Sequence, residues 1–111
     1  MPVPVNVVLT RVSVPLAKVV VEILGTFFFL SVIIRSLNDT SIGGFGIAVA
    51  LLASIYFGAS ISNAHFNPAV SFAMLMKNKM DMNLFIAYVL AQLIGAALAV
   101  KFDTYALTRV W

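Results

Sequence analysis

The chain has 111 residues, of which 62% are hydrophobic and 10% charged, and it carries a net charge of +3. A soluble domain is about half apolar and about a quarter charged, so too few charges are present to coat a water-facing globule, and disorder is excluded by the same balance. With no cysteine, a single histidine (His65) and a single glutamate (Glu22), the chain offers no disulfide, no metal or cofactor site and no nucleophile–base set for an enzyme; its scattered positive charge is no nucleic-acid patch.

In chain order, residues 1–15 read as a leader, where Pro2, Pro4 and Pro15 discourage helix. It is not a convincing signal peptide, because the apolar run that follows is too long and no small-residue cleavage site ends it. A first membrane segment spans about 16–35, ended by Arg35 and Asn38-Asp39. At ~1.5 Å per residue it covers a hydrocarbon core of ~30 Å. A second segment spans about 42–60. No Asp, Glu, Lys or Arg occurs from Thr40 to Met76, a stretch too long for one crossing and short for two. A last segment runs over about 84–101 and ends at Lys101, before a tail at 104–111. The expected fold class is an all-α membrane protein with three transmembrane helices.

Something extra lies at 61–76. Asn67 is a good N-cap, and proline is well tolerated at the first helical position, so Asn67-Pro68 starts a helix rather than breaking one. That helix is expected to run from Pro68 to about Met76 and to stop at Lys77-Asn78-Lys79. Its length of ~13 Å is about half a crossing, which predicts a re-entrant half-helix behind a polar loop. Irregular backbone at membrane depth is tolerated only where protein covers it or it lines a watery cavity. Two crossings also carry small residues at every fourth position: Gly46, Ala50, Ser54 and Gly58 in the second, Ala87, Ala91, Gly95 and Ala99 in the third. Such stripes let helices pack closely in lipid. Met74, Met76, Met80 and Met82 are read as gap fillers, not ligands.

A half-helix starting at Asn67 presents free N–H groups and a partial positive charge at mid-membrane. The Asn67 oxygen can cap the helix while its NH₂ faces a pore. Water must turn its oxygen toward those donors, and cations meet a repulsive field.

HFNPAV at 65–70 resembles the signature of the aquaporin (major intrinsic protein) family. EILGTFFF at 22–29 is similar to that family's first helix, and IAYVLAQLIGAALA at 86–99 to its third. The resemblance covers about residues 17–100. It implies that Asn67, Pro68 and Ala69 form a pore motif and that the carbonyls of Asn63, Ala64 and His65 line the pore. For the His65 ring, packing and hydrogen bonding are favoured. The resemblance also implies that Glu22 braces the loop by accepting hydrogen bonds; the other reading is a pair with Lys18 one turn earlier. Gln92 is similar to the family's third-helix glutamine and joins the bracing or serves as packing glue. Counting back from Asn67 puts Ile47 at the family's second-helix filter position, with Phe45 if the register slips. Val70 stands where the family's second motif usually carries an arginine. An integral, multi-pass place in the cell (plasma or inner) membrane follows from the same likeness.

The chain resembles the first of the family's two inverted repeats only. The expected architecture is therefore half of an aquaporin fold, completed by an inverted second copy: an antiparallel homodimer in the bilayer, with such pores clustered in fours. Topology charges fit two-way insertion. Arg11, Lys18, Lys77 and Lys79 lie on one side and Arg35, Lys101 and Arg109 on the other, almost no bias for the positive-inside rule. The expected activity is passive passage of water, with small neutral solutes such as glycerol as the wider class. Two alternatives stay open here: a dual-topology proton-coupled transporter using Glu22, and a half-subunit that needs a separate partner half.

Overall fold

The computed structural model describes residues 14–107, with side chains through residue 105; the leader up to residue 13, Arg11 and Arg109 lie outside the described residues. Four helices follow in order: α1 Leu16–Ser36, α2 Gly43–Ser62, α3 Pro68–Met76 and α4 Met82–Phe102, the last continued by a π-helical turn, Asp103–Leu107. No strand occurs among the described residues. α1, α2 and α4 with its extension are long and apolar enough to cross a membrane, at mean hydropathies of 2.2, 1.9 and 2.0.

Local chemistry sets the helix ends. The Asp81 carboxylate accepts a hydrogen bond from the Leu84 N–H at 2.8 Å and starts α4 at Met82, ahead of the expected 84. α2 continues past 60 to Ser62 and stops where Asn63 turns left-handed at φ 68°. Lys101 does not end α4, because one long lysine at a helix end can carry its ammonium out to the interface.

The burial pattern is inverted relative to a water-soluble domain. Glu22, Thr26, Ser54, Ser62, Ser71 and Gln92 are each no more than 2% exposed. Leu24, Phe28, Leu52, Tyr56, Leu90 and Leu93 are exposed. Lipid tails are as apolar as leucine, so nothing drives these side chains inward in a bilayer; polar groups must instead find partners inside.

α1 is the central helix, with α2 and α4 both packed on it and α3 lying against α4. The small residues make this possible. Ala50, Ser54 and Gly58 of α2 and Ala91, Gly95 and Ala99 of α4 are buried. Gly46 departs from the expected stripe: a Cβ there meets only Ile42 of its own helix, so it opens no approach to a neighbour. Gly95 marks a close helix–helix crossing. A Cβ on it lies 2.7 Å from the Ile23 carbonyl oxygen and 3.1 Å from the Phe27 nitrogen. Backbone atoms cannot step aside, so Gly95→Leu is expected to force α1 and α4 apart at a cost of about 1–3 kcal/mol or more. A lower midpoint in detergent-titration unfolding checks this; an unchanged midpoint counts against the crossing.

Candidate functional site

The centre of the molecule is a carboxylate. Glu22 lies ~9 Å along α1 and is fully buried. Its Oε2 accepts from Ser62 Oγ at 2.7 Å and from the His65 N–H at 3.1 Å. Its Oε1 accepts from the Phe66 N–H at 2.8 Å and from Gln92 Nε2 at 2.9 Å. All four partners are donors, the set that an acceptor-only carboxylate can use. Glu22 thus links α1 to the end of α2, to the loop and to α4.

Further bonds around this carboxylate fix the same loop. Ser62 Oγ accepts from the Ala64 N–H at 3.1 Å, and the Tyr88 hydroxyl donates to the Ser62 carbonyl at 2.6 Å. Ser71 Oγ accepts from Gln92 Nε2 at 2.9 Å and lies 2.8 Å from His65 Nδ1. The assignment that spends every hydrogen has Ser71 donating to Nδ1, which leaves the ring proton on Nε2. The His65 ring also meets Tyr88 edge-on, with centroids 5.0 Å apart.

This anchoring holds a backbone that would not form unaided. Asn63, Ala64 and Phe66 all have positive φ, at 68°, 51° and 53°. For residues with a side chain this region costs roughly 1–2 kcal/mol each. The loop's donors point inward to Glu22 and Ser62. Its acceptors do not: the carbonyls of Asn63, Ala64 and His65 receive no hydrogen bond among the described residues. Phe66 closes the turn as a wedge. Its ring is 3% exposed and fills the space that a Cβ would take at Gly25 and at Gly58.

Asn67 then starts α3. Its Oδ1 accepts from the Ala69 N–H at 2.8 Å with Pro68 at the first helical position. Its NH₂ makes no hydrogen bond among the described residues. Asn67 and Pro68 share a cavity of about 280 Å³ with Thr26 and Gln92. Thr26 and Gln92 are the central residues, the eleventh of twenty-one, of α1 and α4. A second cavity, of about 430 Å³, holds Asn63, His65 and Val70 with Lys18, Lys79 and Tyr88.

The structure thus brings together Glu22, Gln92, the 63–65 loop and the Asn67-Pro68-Ala69 turn. Lys18 is not among Glu22's partners. Ile47 does not line the cavity that holds Val70. Ile47 is half-buried near the start of α2, and the alternative, Phe45, is 84% exposed. Sequence reasoning missed Ser62, Phe66, Ser71, Tyr88 and Thr26. Spacing carried part of the signal: Ser71 follows the Asn67 cap by one helical turn, and Gly25 and Gly58 mark room for a large neighbour.

Three membrane-length helices enclosing a buried carboxylate, a pinned loop and a capped half-length helix define a polytopic helical membrane protein. The chain belongs to the major intrinsic protein family, whose sequence profile matches residues 17–109. It is 38% identical to aquaporin NIP1-1 of Zea mays over 98 residues, which cover 79% of this chain and 35% of that protein. It is 36% identical to glycerol uptake facilitator protein-like 6 of Lactiplantibacillus plantarum over 86 residues, 74% of this chain and 40% of that one. It is 37% identical to nodulin-26 of Glycine max over 98 residues, 79% of this chain and 36% of that one. The chain therefore spans 35–40% of the length of these curated relatives. No solved structure matches it.

Proposed function

We propose that the chain forms half the wall of a passive membrane channel for water and small neutral solutes, completed by a second copy inserted upside down. In this reading α3 is re-entrant and Asn67 sits at the bilayer midplane. The observation that carries it is the cavity shared by Asn67 with the central residues of α1 and α4. There the Asn67 NH₂ supplies donors, and the loop leading up to it supplies acceptors through the carbonyls of Asn63, Ala64 and His65, with Asn63 and His65 lining the second cavity; these are the two kinds of partner a file of water needs. The helix N-terminus adds a positive field that disfavours cations.

One copy leaves this surface open. Unpaired carbonyls facing lipid cost several kcal/mol each, so a partner must cover them. The near-even charges on the two sides permit the inverted insertion that places a second half opposite. Paired copies contribute two Ile47 and two Val70, and inversion carries Val70 of one toward Ile47 of the other. The filter is apolar and has no arginine, which favours neutral solutes and weakens proton exclusion. Four such pores per assembly are the expected cluster. Glu22 is a fixture here, not a proton carrier: releasing its donors to cycle a proton would orphan two backbone N–H groups.

Proteoliposomes holding the purified chain are expected to swell severalfold faster than protein-free vesicles in stopped-flow light scattering. Asn67→Ala, which removes the cap (about 1 kcal/mol) and the amide donors, is expected to slow that swelling. Wild-type swelling equal to that of empty vesicles overturns the channel. A cysteine introduced at a terminus is unique in this chain; an impermeant thiol reagent is expected to reach about half the copies from each side, as dual insertion requires. Labelling from one side alone overturns the inverted pair.

A further inference from the structure

The cavity of about 430 Å³ that holds Asn63, His65 and Val70 has two cationic walls, Lys18 from the first turn of α1 and Lys79 from the turn after α3. Lys18 is half-buried and Lys79 exposed. No carboxylate pairs with either lysine among the described residues. Asp81, two positions beyond Lys79, turns its carboxylate to the Leu84 N–H and does not line the cavity. Glu22, one turn beyond Lys18, is fully buried behind four donors. Met74, Met80 and Leu84 supply apolar walls. Lys18 does nothing for its own helix, because a cation in a first turn opposes the helix dipole. Lysines that only reach for the interface need not meet; these two come from distant points in the chain and converge on the recess that leads to the loop.

We infer that Lys18 and Lys79 form a positive collar at the mouth of the permeation path and act as specificity residues, holding cations, protons included, away while neutral solutes pass. The inference rests on the channel reading and names the residues that supply the charge its apolar filter lacks. Val70 lines the same cavity, so the collar stands beside the filter. A recess lined by one sign of charge and walled by low-dielectric groups focuses the field. A cation is repelled there before it reaches Asn67. An anion passes the collar but then meets the acceptor carbonyls of Asn63, Ala64 and His65. Water and small neutral solutes carry no net charge and cross both regions. In an inverted pair each mouth carries its own Lys18 and Lys79, so exclusion is the same from either side.

The test uses full-length chains in proteoliposomes, read in parallel for stopped-flow swelling and for proton entry with a trapped pH-sensitive dye under an imposed gradient. Lys18→Gln/Lys79→Gln is expected to swell as the wild type does and to admit protons severalfold faster. Lys79→Glu is expected to leak more than Lys79→Gln, and Lys18→Arg/Lys79→Arg to stay as tight as the wild type. The control Lys77→Gln/Lys101→Gln removes two charges from residues that do not line the cavity and is expected to leave proton entry unchanged. Exposed charges act over about 30 Å at 0.01 M ionic strength but only about 3 Å at 1 M, so the difference between wild type and collar variant is expected to shrink in high salt. If the wild type swells but removing both lysines leaves proton entry unchanged, or the control variant leaks as much, the collar is wrong and the channel stands. If the wild type swells no faster than empty vesicles, the channel reading falls and the collar with it.

Discussion

Glu22→Ala is expected to bring osmotic permeability down to that of protein-free vesicles. Four donors lose their acceptor at once: Ser62 Oγ, Gln92 Nε2 and the backbone N–H groups of His65 and Phe66. Each buried unpaired donor costs about 1–3 kcal/mol. Together they rival the whole ~5–15 kcal/mol margin of a folded domain. The strained residues Ala64 and Phe66 then have nothing to hold them at positive φ. Glu22→Gln is milder. Its carbonyl oxygen keeps one pair of donors, and the Gln92 amide can turn its unpaired Oε1 toward the new NH₂. Swelling is expected to slow severalfold with no change in its pH dependence. In a proton-coupled transporter the same substitution abolishes pH-driven exchange altogether, so a proteoliposome assay with an imposed pH gradient separates the two mechanisms. Monodispersity in detergent tells a misfolded Glu22→Ala from a folded but closed one.

The three crossings and the short helix were legible because hydropathy and proline chemistry are local signals. Apolar runs long enough to span lipid mark α1, α2 and α4, and Asn67-Pro68 marks the start of α3 without reference to anything distant. Glu22 was legible as a candidate because a carboxylate within a membrane segment must have a partner, and Gln92 through its likeness to the family's third-helix glutamine. What stayed hidden is which groups those partners are. Ser62 and Ser71 are common residues in membrane helices, and only the three-dimensional path of the loop bonds Ser62 to Glu22, forty positions away, and Ser71 to Gln92, twenty-one positions away. Tyr88 lies in an apolar run and reads as packing until its hydroxyl meets the Ser62 carbonyl. The small-residue stripes predicted close approach but not its limits: Gly46 has the right spacing and no neighbour across the interface. Thr26 escaped notice because a lone threonine in a helix ordinarily bonds its own backbone.

Gly25→Ala tests the other device that sets the loop, the Phe66 wedge. The added Cβ would lie 2.1, 2.3 and 2.7 Å from three carbons of the Phe66 ring. The ring cannot swing away, because on the far side it lies 2.7 Å from the position of a Gly58 Cβ, and its own N–H is held by Glu22. One methyl group must therefore move the whole turn, Asn67 included. Overpacking of this kind costs about 1–3 kcal/mol, and permeability is expected to fall with stability. Phe66→Ala errs in the opposite direction. Its cost is expected below the ~3–5 kcal/mol seen in water-soluble cores, because the lost contacts are exchanged for lipid contacts rather than for water. Combining Gly25→Ala with Phe66→Leu puts back space where the methyl intrudes, so the double variant is expected to be more stable than the sum of the singles, by a coupling of about 0.5–3 kcal/mol. Strict additivity in detergent-titration unfolding would mean that Phe66 is not wedged against α1, and that Glu22 alone must position Asn67.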